Sequence, residues 1–285
     1  MNLTLRKSNR KQAKIKLALQ GASGSGKTYS ALLLAKGMTD DWSKVAVIDT
    51  ENGSADLYAD LGQYNVLPLH HPYSPEMYIK AIDVCVENGI EVLIIDSLSH
   101  CWEYLLDEHS KMAGNSFTNW SKITPRLNAL IQAILNAPIH VIATLRTKQD
   151  YVLSTKNGKV VPEKVGLKAI QRDGVDYEFT IVLEINAKHQ ATTSKDRTGL
   201  FVNLPAFSIT EQTGARIKTW CERASASTDK SFSERINETK TVAELLEIYN
   251  AHPECRLEFK DAFIVQKARL TNPQSFSKEG SVTNG

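Results

Sequence analysis

One short segment constrains the fold of this chain more than any other. Residues 21–28 read GASGSGKT and fit the pattern G-x-x-x-x-G-K-[ST]. An apolar run at 15–19 precedes the segment and a helical pattern at 28–36 follows it, with Gly37 as the expected helix end. A glycine-rich turn that matched by chance would lack this strand-loop-helix context. The pattern therefore predicts a loop that binds phosphate at the start of a helix.

The residue types in this loop suit a nucleoside triphosphate. Glycines let backbone N–H groups approach phosphate oxygens, and the start of the helix adds about half a positive charge. Lys27 is expected to reach the β- and γ-phosphates, and the hydroxyl of Thr28 to bind Mg²⁺. We therefore predict ATP and Mg²⁺ as the bound species. The expected nucleotide contacts in and after the loop are Gly21, Ala22, Ser23, Gly24, Ser25, Gly26, Lys27, Thr28 and Tyr29.

Strand and helix patterns alternate from residue 14 to about residue 207. Near-continuous apolar runs indicate strands that are covered on both faces. Alternation of this kind predicts an α/β fold, a P-loop NTPase core whose mainly parallel central sheet is flanked by helices. The expected strands are 15–19, Val45–Asp49, Val92–Asp96, 139–144, 179–185 and 190–194.

Two further helices are predicted by apolar spacing. Ser74 is the expected cap of the first and Gly89 its end. The buried face of that helix is expected to carry Met77, Ala81, Ile82 and Cys85. The other helix is expected to bury Ile123, Leu127, Leu130, Ile131 and Ile134.

The texture of the sequence changes after the core. A polar, Ser/Thr-rich stretch is followed by a capping box at 241–244 and two amphipathic helical patterns. The expected organisation is a basic arm at 1–13, a core at 14–224, a linker at 225–240, a small helical hairpin at 241–270 and a disordered tail at 271–285.

Composition excludes several classes of protein. The 285 residues carry a net charge of +2 and are 42% hydrophobic, which excludes a wholly disordered chain and a bulk polycation. No apolar run reaches the roughly 18 residues of a membrane helix, so no membrane contact is expected. The basic start lacks the apolar core of a secretory signal, and the four cysteines are scattered. Free thiols in a reducing cytoplasm are the expectation.

Two acidic residues follow apolar strands. Asp96 ends the run Val92–Asp96, where its carboxylate can contribute to the Mg²⁺ shell. Glu51 lies just past the run Val45–Asp49 and is our candidate for orienting or deprotonating the attacking water. The alternative for Glu51 is a solvated acid in a turn.

Two cations lie near the last expected strand of the core. Lys195 and Arg197 are two residues apart, so their side chains point the same way along a strand. They are predicted to reach the γ-phosphate of a neighbouring subunit, where such a finger accelerates hydrolysis by roughly 10³–10⁵. The alternative is an exposed basic turn.

Together these residues resemble the RecA-like ATPases, above all the short, core-only members of bacteriophages that act in single-strand annealing or recombination. The resemblance covers residues 14–207 and is strongest at 47–62. It implies that Glu51 activates water, that Tyr58 packs on adenine and that Lys195 and Arg197 form the finger. Thr144 stands where RecA has a glutamine that senses the γ-phosphate, so either Thr144 or Arg146 is the expected sensor.

A basic segment at 147–171, with Arg172 just after it, is the expected DNA-binding element. It leaves the end of a sheet strand, contains an Asn-Gly turn signal at 157–158, and resembles a DNA-binding loop of RecA in position. The alternative is an exposed hairpin with ordinary lysines. A second expected loop, 101–121, either lines the same channel through Trp120 or belongs to the core, as favoured for Trp102. The expected DNA contacts are Lys148, Tyr151, Lys156, Lys159, Lys164, Lys168 and Arg172.

Two functions are compatible with these residues. The first is an ATP-hydrolysing protein that binds single-stranded DNA in phage-type recombination or annealing. It is expected to self-associate into a ring or a filament, and a single-strand-binding protein is a further expected partner. The alternative is a nucleotide-switched adaptor that binds a replication or packaging protein with little hydrolysis.

Overall fold

The computed structural model describes residues 13–156, 159–222, 232–252, 256 and 259–271, with only the backbone described at 149–167 and 232–234. The chain divides into two compact units. One is Arg10–Arg223, and the other comprises Met1–Asn9 with Ala224–Gly285.

The first unit is built on a nine-stranded sheet in the described residues. Its order is β3-β2-β4-β5-β1-β7-β8-β9, with β6 paired to β5 outside this path. The strands from β3 to β7 in that order run parallel, and β6, β8 and β9 are antiparallel to their partners. The predicted α/β fold with a mainly parallel sheet is therefore confirmed. The strands are β1 (Lys16–Gly21), β2 (Val45–Asp49), β3 (Asn65–Pro68), β4 (Val92–Asp96), β5 (His140–Lys156), β6 (Lys159–Ala169), β7 (Ile181–Ile185), β8 (Gln190–Asp196) and β9 (Phe207–Ser208).

Helices cover both faces of this sheet. Leu17 and Leu19 of β1 pack with α1 and α5, whereas Ala18 between them packs with α2, α3 and α4. This alternation explains why the central strands carry runs of consecutive apolar residues, such as 17–19 of β1. The helices are α1 (Lys27–Thr39), α2 (Pro75–Glu87), α3 (Ser99–Lys111), α4 (Ser116–Asn136) and α5 (Glu211–Glu222). In the described part of the chain, no helix has the length and apolar content to cross a bilayer.

The prediction that Gly37 ends the first helix is wrong. α1 continues to Thr39, and Asp40 in a left-handed conformation follows it. A Cβ atom on Gly37 would lie 1.9 Å from the carbonyl oxygen of Glu211 in α5. Gly37 is therefore a contact point between two helices, and not a stop signal.

Two other local predictions differ from the structure. On α2, Ser74 accepts the capping hydrogen bond as predicted, but Tyr78 is buried where Met77 was expected, and Met77 is exposed. The stretch expected as a loop at 101–121 instead belongs largely to α3 and α4. The apolar face predicted for α4 is buried in full.

The second unit contains three described helices, α6 (Phe232–Asn237), α7 (Val242–Ala251) and α8 (Lys260–Thr271). Ile236, Leu245 and Phe263 form its small core. The cap of α7 is as predicted, with the Thr241 hydroxyl accepting from the backbone N–H of Glu244 at 3.2 Å. α6 occupies part of the segment that was expected to be a linker. Residues 1–12 of the expected arm at 1–13 and residues 272–285 of the expected tail at 271–285 lie outside the described residues.

Candidate nucleotide site

The predicted phosphate loop lies where three parallel strands end. β1 ends at Gly21, β2 at Asp49 and β4 at Asp96, and the register pairs Asp49 with Asp96. Carboxyl ends of parallel strands share one edge of a sheet, which places residues 21–28 beside both acids. Gly24 and Gly26 have φ values of 77° and 88°, a conformation that side chains disfavour. The loop thus needs its glycines to turn into α1.

Lys27 lies over this loop. Its Nζ donates to the carbonyl oxygens of Gly21 at 3.0 Å and Ala22 at 2.9 Å. Burial lowers the pKa of the ammonium from its ordinary value. The Ser25 hydroxyl is buried and has no hydrogen-bond partner among the described residues. A buried cation and an unpaired hydroxyl in a glycine turn fit the phosphates of a nucleotide.

Asp96 is held between two hydroxyl groups. Thr28 donates to Oδ2 at 2.6 Å, and Thr144 donates to Oδ1 at 2.5 Å. Burial raises the pKa of this carboxyl above its ordinary value. Thr28 and Asp96 therefore form the hydroxyl and carboxylate pair that would hold Mg²⁺, as predicted. The ion, when bound, supplies positive charge to the phosphate oxygens. Thr144 positions Asp96, and its side chain is fully buried.

Glu51 lies at the same edge of the sheet. The Asp49 carboxylate fixes its turn by accepting from the backbone N–H of Glu51 at 2.6 Å. Arg146 donates through Nε to Glu51 Oε1 at 2.9 Å and through Nη2 to Oε2. His100 Nε2 lies 3.9 Å from Oε1 of the same carboxylate. Glu51 is thus a tethered carboxylate and not a solvated acid in a turn.

An aromatic pair adjoins the first turn of α1. The rings of Tyr29 and Tyr58 are 5.6 Å apart and tilted by 53°. Tyr29 is 42% exposed, so a face of this pair is open to a flat ligand. The structure therefore brings together the two tyrosines that were predicted to contact the nucleotide.

Two histidines of the site escape sequence reasoning. His100 stacks on Tyr73 at 5.1 Å, shares a hydrogen bond with Thr50 at 2.7 Å and has its pKa lowered by burial. His189 donates from Nδ1 to the carbonyl oxygen of Ser25 at 2.9 Å. The sequence offers one signal for His189: it lies in the turn after β7, a parallel strand that ends at the same edge of the sheet as the phosphate loop.

Residues 13–212 match a family described as an AAA domain, and this match covers more than half of the chain. The chain belongs to the AAA domain family. The AAA domain is a P-loop ATPase domain, so the match agrees with the loop, the acidic residues and the sheet described above. No curated protein matches the chain.

The two predicted finger cations of this AAA domain lie away from its own phosphate loop. Lys195 pairs with Val182 and the backbone N–H of Arg197 donates to Thr180, whereas Gly21 pairs with Ile185 at the other end of β7. Five residues of strand span about 16 Å. Both side chains donate to the carbonyl oxygen of Tyr177. Lys195 and Arg197 are therefore separated from the phosphate loop of the same chain by most of the length of β7.

The predicted DNA-binding segment forms a long antiparallel hairpin from β5 and β6. Lys156 pairs with Lys159 at its far end, and the expected Asn-Gly turn at 157–158 lies outside the described residues. The side chains of Tyr151, Lys156, Lys159 and Lys164 lie outside them as well. Three of the predicted DNA contacts, Lys148, Lys168 and Arg172, are described with their side chains.

At the base of this hairpin the AAA domain has an open groove of about 1060 Å³. Lys148, Lys168 and Arg172 line one side of it, together with one acid, Asp173. Trp102, Phe117 and Trp120 of α3 and α4 line the other. Lys168 also pairs with Asp173 at 2.8 Å, and Arg172 donates to Asn128 at 3.4 Å. Both tryptophans pack against the core and also line the groove. The two predicted alternatives, a core position and a place in the channel, are therefore both met.

Proposed function

We propose that this AAA domain protein hydrolyses ATP and binds single-stranded DNA, and that it acts as a RecA-like protein in phage-type recombination or strand annealing. The observation that carries this proposal is the groove at the base of the β5–β6 hairpin. Cations line one side of it and aromatic rings the other. Single-stranded nucleic acid needs both, because cations neutralise phosphates and rings stack on bases.

Phe117 is the strongest candidate for stacking on a base. It is 86% exposed, although burial of a phenyl ring is favourable by roughly 2–3 kcal/mol. Trp120 stacks on His109 at 4.1 Å and lies 5.8 Å from Trp102, which fixes a rigid aromatic wall behind it. A rigid wall with one free ring suits bases that arrive unpaired.

Strand β5 connects this groove to the nucleotide. Thr144 donates to Asp96, Arg146 donates to Glu51, and Lys148 lines the groove. These three residues occupy alternate positions of one strand, so a shift of β5 moves all three together. The arrangement supports hydrolysis that depends on DNA.

Self-association into a ring or a filament is part of the proposal. The distance between the phosphate loop and the Lys195–Arg197 pair supports head-to-tail contact, because those cations reach a nucleotide only across an interface. A single-strand-binding protein is the proposed partner, since both proteins would occupy the same strand of DNA.

The test measures ATP turnover with and without oligo-dT, together with binding of labelled oligo-dT over a salt series. We expect DNA to raise turnover and salt to weaken binding steeply. Phe117→Ala should weaken binding by about 1–3 kcal/mol with the salt slope unchanged. Lys148→Ala should lower the salt slope by about one. Lys122→Ala removes an exposed lysine of α4 that does not line the groove, and serves as its control.

Each outcome decides between the two functions. Turnover that DNA does not change, with no binding of oligo-dT by the wild type, would reject the proposal. Capture of a replication or packaging protein in the presence of ATP, with little hydrolysis, would then favour the adaptor. Equal losses in Lys148→Ala and Lys122→Ala would show that the groove is not the DNA site.

A further inference from the structure

The second unit, taken by itself, carries an apolar groove between α7 and α8. Its volume is about 630 Å³. Leu246 on α7 and Ile264 on α8 both line it and are 52% and 55% exposed. Leu245 and Phe263 are buried beneath them in the core of the unit. Exposed aliphatic side chains on facing helices form a surface that another apolar group can cover.

Cations border this apolar floor. Arg256, Lys260 and Lys267 line the groove, with the two lysines seven residues apart on α8. The guanidinium of Arg256 lies 4.4 Å from the ring centre of Tyr249 and donates to its carbonyl oxygen at 2.8 Å. None of the described residues that line the groove is acidic. The charge of the border is therefore uniformly positive.

We propose that this groove binds a short acidic segment of a partner protein that also carries apolar side chains. Its leucine- or phenylalanine-like groups would cover Leu246 and Ile264, and its carboxylates would meet Arg256, Lys260 and Lys267. DNA fits less well, because aliphatic side chains offer nothing to phosphates and Tyr249 is a single ring. The amino-terminal segment of this chain carries Arg6, Lys7, Arg10 and Lys11, and has the wrong charge. Neither DNA binding nor hydrolysis is needed for this docking.

The test uses the full chain and three labelled peptides of twelve residues in fluorescence anisotropy. One peptide alternates Asp and Glu with Leu and Phe, the second replaces the acids by Lys, and the third replaces the apolar residues by Ser. Only the first is expected to bind, and its binding should weaken about 10-fold when salt rises from about 50 to 200 mM.

Two pairs of variants locate the binding surface. Ile264→Asp should weaken binding about 10-fold or more. Val265→Asp is its matched control, since Val265 is 54% exposed on the same helix but does not line the groove. Lys260→Glu with Lys267→Glu should weaken binding and remove its salt dependence, whereas Lys240→Glu should not. Circular dichroism confirms that each variant folds.

Three results would overturn the proposal. The first is equal binding of all three peptides, or of none. The second is an equal loss in Ile264→Asp and Val265→Asp. The third is a different occupant of the groove. Weaker binding of oligo-dT by the Lys260→Glu, Lys267→Glu variant would show that DNA binds there. A dimer in sedimentation that Ile264→Asp abolishes would show that a second copy of the chain binds there.

Discussion

Arg146 grips the carboxylate of Glu51 with two nitrogens, Nε at 2.9 Å from Oε1 and Nη2 on Oε2. The guanidinium thus fixes both oxygens of the residue that we infer activates water. A forked contact of this kind sets orientation as well as charge, and a lysine does not reproduce it. Arg146 is accordingly a positioning residue, and its own pKa is raised by the hydrogen bond to Glu51.

We expect Arg146→Ala to lower ATP turnover by roughly 10- to 100-fold, because a carboxylate displaced by about 1 Å loses much of its effect. Arg146→Lys retains the charge, so its turnover should lie between those of the wild type and Arg146→Ala. Glu51→Gln should lose roughly 10²–10⁴ in turnover and still bind nucleotide. Phosphate release at saturating ATP, with nucleotide affinity measured separately, checks all three. Faster turnover in Arg146→Ala would mean that the pair restrains Glu51 and does not position it.

Asp96 should make the stability of the nucleotide-free protein depend on pH. Burial raises the pKa of its carboxyl above 3.8, so the folded state holds this proton to higher pH than the unfolded chain does. The free energy of unfolding therefore falls as pH rises from the pKa of the unfolded chain to the raised pKa of the folded protein. Within that window the loss is about 1.4 kcal/mol for each pH unit. Asp96→Asn removes this loss. Urea unfolding at a series of pH values from about 4 upward should show the variant gaining stability relative to the wild type as pH rises, and parallel curves over the whole series would contradict the expectation.

Arg197 should act on the nucleotide of a neighbouring subunit. Alone, Arg197→Ala should lose roughly 10³-fold in turnover, and Lys27→Ala should be inactive. Mixing them pairs an intact loop with an intact finger at about a quarter of the interfaces, so turnover should return to that extent. Lys122→Ala in place of Arg197→Ala serves as control. Two inactive proteins whose mixture stays inactive would reject action between subunits.

Gly37→Ala should separate α1 from α5. The added Cβ would lie 1.9 Å from the oxygen of Glu211 and 2.7 Å from the backbone nitrogen of Ala215, and backbone atoms do not move aside easily. We expect a loss of about 3 kcal/mol in the free energy of unfolding. Gly114→Ala is the comparison, because its φ is 95° and its Cβ meets nothing within 4 Å. That variant should lose only about 1 kcal/mol. Equal losses in thermal or urea unfolding would refute the steric explanation.

Local sequence predicted what local chemistry determines. The phosphate loop, Asp96 and the apolar strands each carry their signal within a few residues, and the structure brings the loop, Thr28 and Asp96 together. The prediction for Gly37 is wrong because, in the sequence, a glycine that lets a second helix approach closely looks the same as a glycine that ends a helix. Arg146 and Glu51 are 95 residues apart, and their pairing follows from the adjacency of β2, β4 and β5.

The two histidines of the site are not predicted for the same reason, because their contacts join residues that are far apart in the sequence. His189 reaches Ser25 across 164 residues, and only the neighbouring positions of β1 and β7 make that contact. The sequence predicts a loop at 101–121, with Trp102 in the core and Trp120 either in the core or beside the DNA channel. Their stacking at 5.8 Å instead joins α3 to α4 and forms one wall of the groove.

The separation between the phosphate loop and the Lys195–Arg197 pair affects how many complete reaction centres an assembly contains. In the proposed assembly each chain supplies the phosphate loop of one reaction centre and the Lys195–Arg197 pair of the next, so an open row of n subunits completes n − 1 centres and leaves one loop without a finger. A closed circle leaves none idle. Turnover per chain would climb with concentration toward a plateau as rows lengthen, but would rise in a single step when circles close.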